Sequence, residues 1–130
     1  MTEVAFVGMA VVDFLFEVEQ IPMTAEKHRA EDISIVGGGC AATAAVAAAR
    51  LGASARMIGR LGDDAVGDQI VEGLRAEGVD CAGLHRAIGA KSSCSSVLVD
   101  GAGERLIVNF RGEGLIETAE WIDIGAATAV

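Results

Sequence analysis

The chain has 130 residues, 52% of them hydrophobic and 22% charged, with 10 Lys and Arg against 19 Asp and Glu for a net charge of −9 at pH 7. This composition suits one folded domain and argues against disorder. The absence of a basic cluster makes nucleic acid a poor partner, although a local helix terminus or Mg²⁺ can still hold a small anion.

Three cysteines, Cys40, Cys81 and Cys94, show no CxxC spacing, so neither a disulfide nor a structural zinc site is expected. The first apolar run follows Glu3 and closes at Asp13, unlike a secretion signal. The alanine-rich stretch is interrupted by glycines, Thr43 and Arg50, and does not read as a membrane span. A cytoplasmic protein with no membrane partner is expected.

Residues 4–12 form a near-continuous apolar run, the pattern of a strand buried on both faces in a parallel sheet. From Asp13 the period becomes two. Phe14, Phe16 and Val18 fall on one side, with Asp13, Leu15, Glu17 and Glu19 on the other, until Pro22 ends the pattern. Residues 28–36 alternate weakly and run into Gly37, Gly38 and Gly39. The alanines of residues 40–51 then predict a helix with Gly52 at its C-terminal cap. Residues 55–59 read as a short strand, followed by a helix capped by Asp63 or Asp64, with Val66, Ile70 and Leu74 on one face and Gly78 at its end. Residues 95–99 and Arg105–Phe110 alternate around DGAG as an antiparallel hairpin. The tail IETAEWIDIGAATAV predicts a short helix and then an apolar stretch. The order implies an α/β body with a parallel sheet and a separate β element. So small a parallel sheet leaves apolar faces uncovered, so the chain is expected to be the front part of a longer domain.

The turn at residues 37–42, GGGCAA, matches the GxGxxA dinucleotide fingerprint. The fingerprint also wants an acidic residue ending the next strand, and here MIGRLGDD places Arg60 first. A turn needing positive φ is the plainer reading. In a third, the free N–H groups of the helix start grip a sugar's hydroxyls or an anionic substituent. GAGE at residues 101–104 precedes a strand rather than a helix and reads as a hairpin turn. Asp13 is either an acceptor for paired hydroxyls or a solvated strand residue.

VGMAVVD, GGGCAATAAVAAARLGA, IGRLGDDAVG, LRAEGVD and VDGAGERLIVN occur in an order and spacing that resemble the front half of the ribokinase-like (PfkB-type) carbohydrate kinases, over nearly the whole chain to about Asn109. The resemblance implies an αβα body around a parallel sheet, incomplete here, with a small β-sheet lid built from strands near residues 13–36 and 92–111. It further implies a sugar as substrate and ATP and Mg²⁺ as cofactors in the full-length enzyme; exposed lid edges make a homodimer through the lid the expected assembly. Asp13, Gly38 and Gly39 match the positions that hold the sugar's hydroxyls. Cys40 and Thr43 stand where the broad family has asparagines, which points away from ordinary ribose or hexose specificity. The combination looks most like the branch acting on 6-deoxy-6-sulfofructose, in which Lys27 and Asn109 match residues that read the sulfonate. The family's catalytic base lies in a GAGD loop that this sequence lacks, so the chain alone is expected to be inactive. The competing readings are a Rossmann-type dinucleotide-binding domain and a non-catalytic dimerising module.

Overall fold

The computed structural model describes residues 2–130. In chain order the elements are β1 (Glu3–Val7), β2 (Val11–Glu17), β3 (Asp32–Gly38), α1 (Cys40–Arg50), β4 (Ser54–Gly62), α2 (Ala65–Ala76), β5 (Asp80–Ala87), β6 (Cys94–Val99) and β7 (Arg105–Phe110). They form two sheets. The body sheet is parallel with order β1-β4-β5, and the lid sheet has order β3-β2-β6-β7. Within the lid β2 runs antiparallel to β3 but parallel to β6, and β6 and β7 close an antiparallel hairpin.

Both helices pack into one core with the body sheet. Ala42 and Ala45 of α1, Met57 and Leu61 of β4, and Ile70, Val71 and Leu74 of α2 are buried in one cluster. Small side chains let α1 lie close to β1 and β4, while α2 buries larger ones spaced at helical period. On the opposite face of the body sheet Arg56 donates to Ile124 O (2.6 Å), Arg60 donates to Ile116 O, and His85 lies 5.7 Å from Trp121, ring to ring. The tail therefore runs over that face and ends beside β1, where Ala5 N donates to Ala129 O (2.9 Å). No helix among the described residues is long and apolar enough to cross a membrane.

Several expectations need correction. Residues 4–12 are not one strand: Gly8 N still bonds Ile58 O (3.0 Å) in the body, and the chain then leaves to begin β2 in the lid. Both halves are apolar because each meets the shared core, so composition does not mark the break. The strand expected over residues 28–36 begins at Asp32 and continues through Gly37 and Gly38, and the one expected over residues 55–59 extends over Ser54–Gly62. β5 was not anticipated, since its sequence DCAGLHRA lacks alternation. The tail forms turns instead of a helix, its carbonyls being taken by the two arginines of β4.

Candidate functional site at the body–lid junction

The site is built where β2 and β3 leave the body and α1 begins. β2 and β3 pair so that Asp13 faces Val36 and Val11 faces Gly38. The Asp13 carboxylate lies over Gly38: a Cβ at residue 38 would fall 2.9 Å from its Oδ2. Gly39 is the N-cap of α1 with φ 93°, a conformation that favours glycine, and a side chain there would strike the Met9 carbonyl. The two glycines thus have separate reasons. Gly38 makes room for Asp13, and Gly39 turns the chain into the helix.

The start of α1 is open. Ala42 N donates to Met9 O (3.3 Å) and Thr43 N to Gly39 O (2.9 Å), but no side chain caps the helix. Cys40 and Thr43, the first and fourth residues of α1, are exposed beside this opening. Asp13 is half-buried, and its carboxylate has no hydrogen-bond donor among the described residues. A partly desolvated carboxylate without a donor, next to a helix N-terminus with spare N–H groups, offers both acceptors and donors to a polyhydroxylated ligand.

Asn109 joins this site through the lid. One lid row runs Val36, Asp13, Ser95, Asn109 across β3, β2, β6 and β7. Asn109 Nδ2 donates to Ser95 Oγ (3.0 Å) and approaches Cys94 O at 3.4 Å. Ser95 was missed by sequence reasoning. The signal was available, because a hairpin turning around DGAG pairs residue 99 with 105 and so residue 95 with 109.

Lys27 stands apart from this cluster. It is exposed in the loop between β2 and β3, which begins after Glu17, roughly 13 Å along the strand from Asp13. A cleft of about 750 Å³ also lies at that end of the lid, lined by Val18, Thr24, His28, Arg29 and Asp100 among others. It is shallow, and its His28 Nε2 is already within 3.0 Å of Thr24 O. The Asp13 end is the better site because unused hydrogen-bonding groups converge there.

A second aspartate at a helix start behaves in the opposite way. Asp64 caps α2 by accepting from Gly67 N (2.8 Å), and it also accepts from Ser92 N (2.9 Å) and Ser92 Oγ (2.7 Å). Arg86 closes the knot from β5 with bonds to Gly62 O (2.8 Å) and Asp68 Oδ1 (2.7 Å). Partial burial pushes the Asp64 carboxyl up, but the Ser92 and Gly67 donors with the Arg86 charge outweigh it and hold it below the usual carboxylate range. Of the two expected caps only Asp64 serves; Asp63 is exposed. The GAGE stretch is a hairpin turn, with Asp100 Oδ1 accepting from Ala102 N (2.9 Å) and Glu104 N (3.0 Å).

The topology removes the dinucleotide reading. β3, the strand that feeds the glycine turn, belongs to the lid and among the described residues pairs only with β2, whereas the fingerprint requires a strand of the parallel sheet. Comparison with known proteins agrees: the sequence profile of the pfkB family carbohydrate kinases matches residues 1–130. The chain belongs to that family. Mouse ribokinase is 28% identical over 127 residues, covering 98% of this chain and 39% of its own length. Rice fructokinase-1 is 35% identical over 106 residues, covering 80% and 31%. Arabidopsis thaliana ribokinase, solved with ribose and ATP, superposes with a TM-score of 0.73 at 28% identity over 85% of this chain and 36% of that one. The fold is thus ribokinase-like, and this pfkB chain spans about a third of the length of the relatives it matches.

Proposed function

We propose that this chain is the sugar-binding portion of a cytoplasmic carbohydrate kinase that transfers the γ-phosphoryl group of ATP, with Mg²⁺, to a sugar hydroxyl. The observation that carries this reading is the Asp13 carboxylate, held over Gly38 at the open start of α1 and lacking any donor of its own among the described residues. A carboxylate in that state accepts hydrogen bonds from two hydroxyls and fixes a sugar's orientation. Gly39 and Cys40 bring helix N–H groups to the same point, and Thr43 adds a hydroxyl from the first turn.

Within the family we assign 6-deoxy-6-sulfofructose as the sugar. Lys27 supplies a point cation and Asn109 an amide for the sulfonate, while Cys40 and Thr43 shape the floor of the site. Because Lys27 lies on an exposed loop, this assignment has the loop folding over the ligand. The base that deprotonates the acceptor hydroxyl is assigned to a GAGD loop, absent from this sequence. No group of three or more His, Cys, Asp or Glu able to hold a metal occurs among the described residues.

The lid also favours self-association. Ile33, Ile35, Leu106, Val108 and Phe110 share one lid face and are each more than a third exposed. A second copy covering that face completes the homodimer.

Calorimetric titration of the chain with D-fructose, D-ribose, 6-deoxy-6-sulfofructose and NAD tests the reading. Binding of a sugar without nucleotide, tightest for the sulfonated one, is expected, together with no sugar phosphate formed from ATP. A stable dimer that binds no sugar overturns the kinase reading in favour of a non-catalytic module.

A further inference from the structure

Asn109 sits on β7, all six residues of which are exposed, at the outer edge of the lid. A polar side chain on such a strand samples several rotamers, and a ligand must then select one of them. Ser95 removes that freedom. Its hydroxyl accepts from Asn109 Nδ2 at 3.0 Å, Ser95 itself is 8% exposed, and β6 holds it in register between Asp13 and Asn109. Neighbouring strands at one register point their side chains to one face, so Asp13, Ser95 and Asn109 make a row about 10 Å long across three strands. A residue of almost any small type would fill the buried position, but a hydroxyl there gives the amide a shorter contact, 3.0 Å, than the Cys94 carbonyl at 3.4 Å.

We infer that Ser95 is a positioning residue of the sugar site: it touches no substrate, and it holds the Asn109 amide in the orientation in which the lid meets the sugar above Asp13. This rests on the sugar-kinase reading. Losing the hydroxyl leaves no buried group unpaired, since Asn109 is exposed and finds water. The effect therefore falls on ligand binding and not on the fold.

The test compares Ser95→Ala, Asn109→Ala, the double variant and Ser95→Thr by titration with D-fructose, D-ribose and 6-deoxy-6-sulfofructose, alongside ¹⁵N relaxation of the Asn109 side-chain amide. Ser95→Ala is expected to weaken binding of the sugar the wild type prefers by roughly three- to tenfold, at an unchanged melting temperature. The Asn109 amide should gain fast motion. The double variant is expected to bind no more weakly than Asn109→Ala alone, because Ser95 acts only through Asn109. Ser95→Thr, which keeps the hydroxyl, should retain wild-type affinity within about threefold. Additive losses in the double variant, or an unchanged amide order parameter in Ser95→Ala, overturn the inference while leaving the kinase reading standing. A wild-type chain that binds none of the three sugars overturns both.

Discussion

The two helix starts of this molecule use the same residue types for opposite ends. At α2, Asp64 lies beside Arg86 and accepts three hydrogen bonds, from Gly67 N, Ser92 N and Ser92 Oγ. At α1 the helix has no side-chain cap, and Asp13 faces outward over a glycine with no donor of its own. A saturated carboxylate stabilises a fold. An unsaturated one that is held in place keeps its acceptor oxygens available to a ligand. The difference between them separates scaffold from site.

The strongest way to break this comparison is to remove Asp13. Asp13→Ala is expected to weaken sugar binding by about a hundredfold, since hydrogen bonds to a charged group contribute roughly 1.5–3 kcal/mol each. Its melting temperature should stay near that of the wild type. Calorimetry and a thermal melt read the two effects separately, and a large loss of stability would place Asp13 in the same class as Asp64.

Asp64→Ala should do the converse. Losing the cap and stranding the Ser92 and Gly67 donors is expected to cost about 2–3 kcal/mol of stability, read from urea unfolding. Sugar affinity of the folded fraction should be little changed.

Acid sharpens the same contrast. The Asp64 carboxyl lies below its unfolded value of 3.8 when folded, so its contribution is fully present above about pH 4 and is lost as pH falls through the lower, folded value. Unfolding free energies followed from pH 6 down to pH 2.5 should fall at the acid end, and Asp64→Asn should flatten that limb. A wild-type curve parallel to that of the variant would show that the knot does not depend on the charge.

Gly38→Ala is a smaller perturbation aimed at geometry alone. Its methyl would meet Asp13 Oδ2 at 2.9 Å and Val11 Cγ2 at 3.0 Å, both of them movable side-chain ends. Sugar affinity is expected to fall about tenfold through displacement of the carboxylate, with a stability change of less than about 1 kcal/mol. Least of all should follow from Arg50→Ala. The Arg50–Glu77 pair, 2.6 Å apart, lowers the Glu77 carboxyl but lies in solvent, and its loss should leave the melting temperature and sugar affinity unchanged within error.

Legibility followed the range of the interactions. α1 and α2 were readable because helix signals repeat within four residues, and the lid hairpin because its turn fixes its own register. Asp13, Gly38, Gly39, Cys40 and Thr43 were singled out in the sequence and lie near the start of α1, while Asn109, singled out with them, lies two strands from Asp13 on the outer lid strand β7. Lys27 was singled out in the same way and remains on its loop, because a motif position gives no distance across a flexible connection. Ser92 and Arg86 carried no local mark. Their importance comes from Asp64, which lies 28 and 22 residues away in sequence.

By itself, then, the sequence determined the helices, the hairpin, the glycine turn and the motif set that leads to a carbohydrate kinase, because each is written in neighbouring residues. Tertiary structure alone decided that the apolar run of residues 4–12 divides between two sheets, that β5 pairs with β4 in the body sheet, and that the tail lies over Arg56 and Arg60. It also decided which aspartate is spent and which is free. That distinction depends on whether donors from distant strands reach a carboxylate, and only the folded chain brings them there.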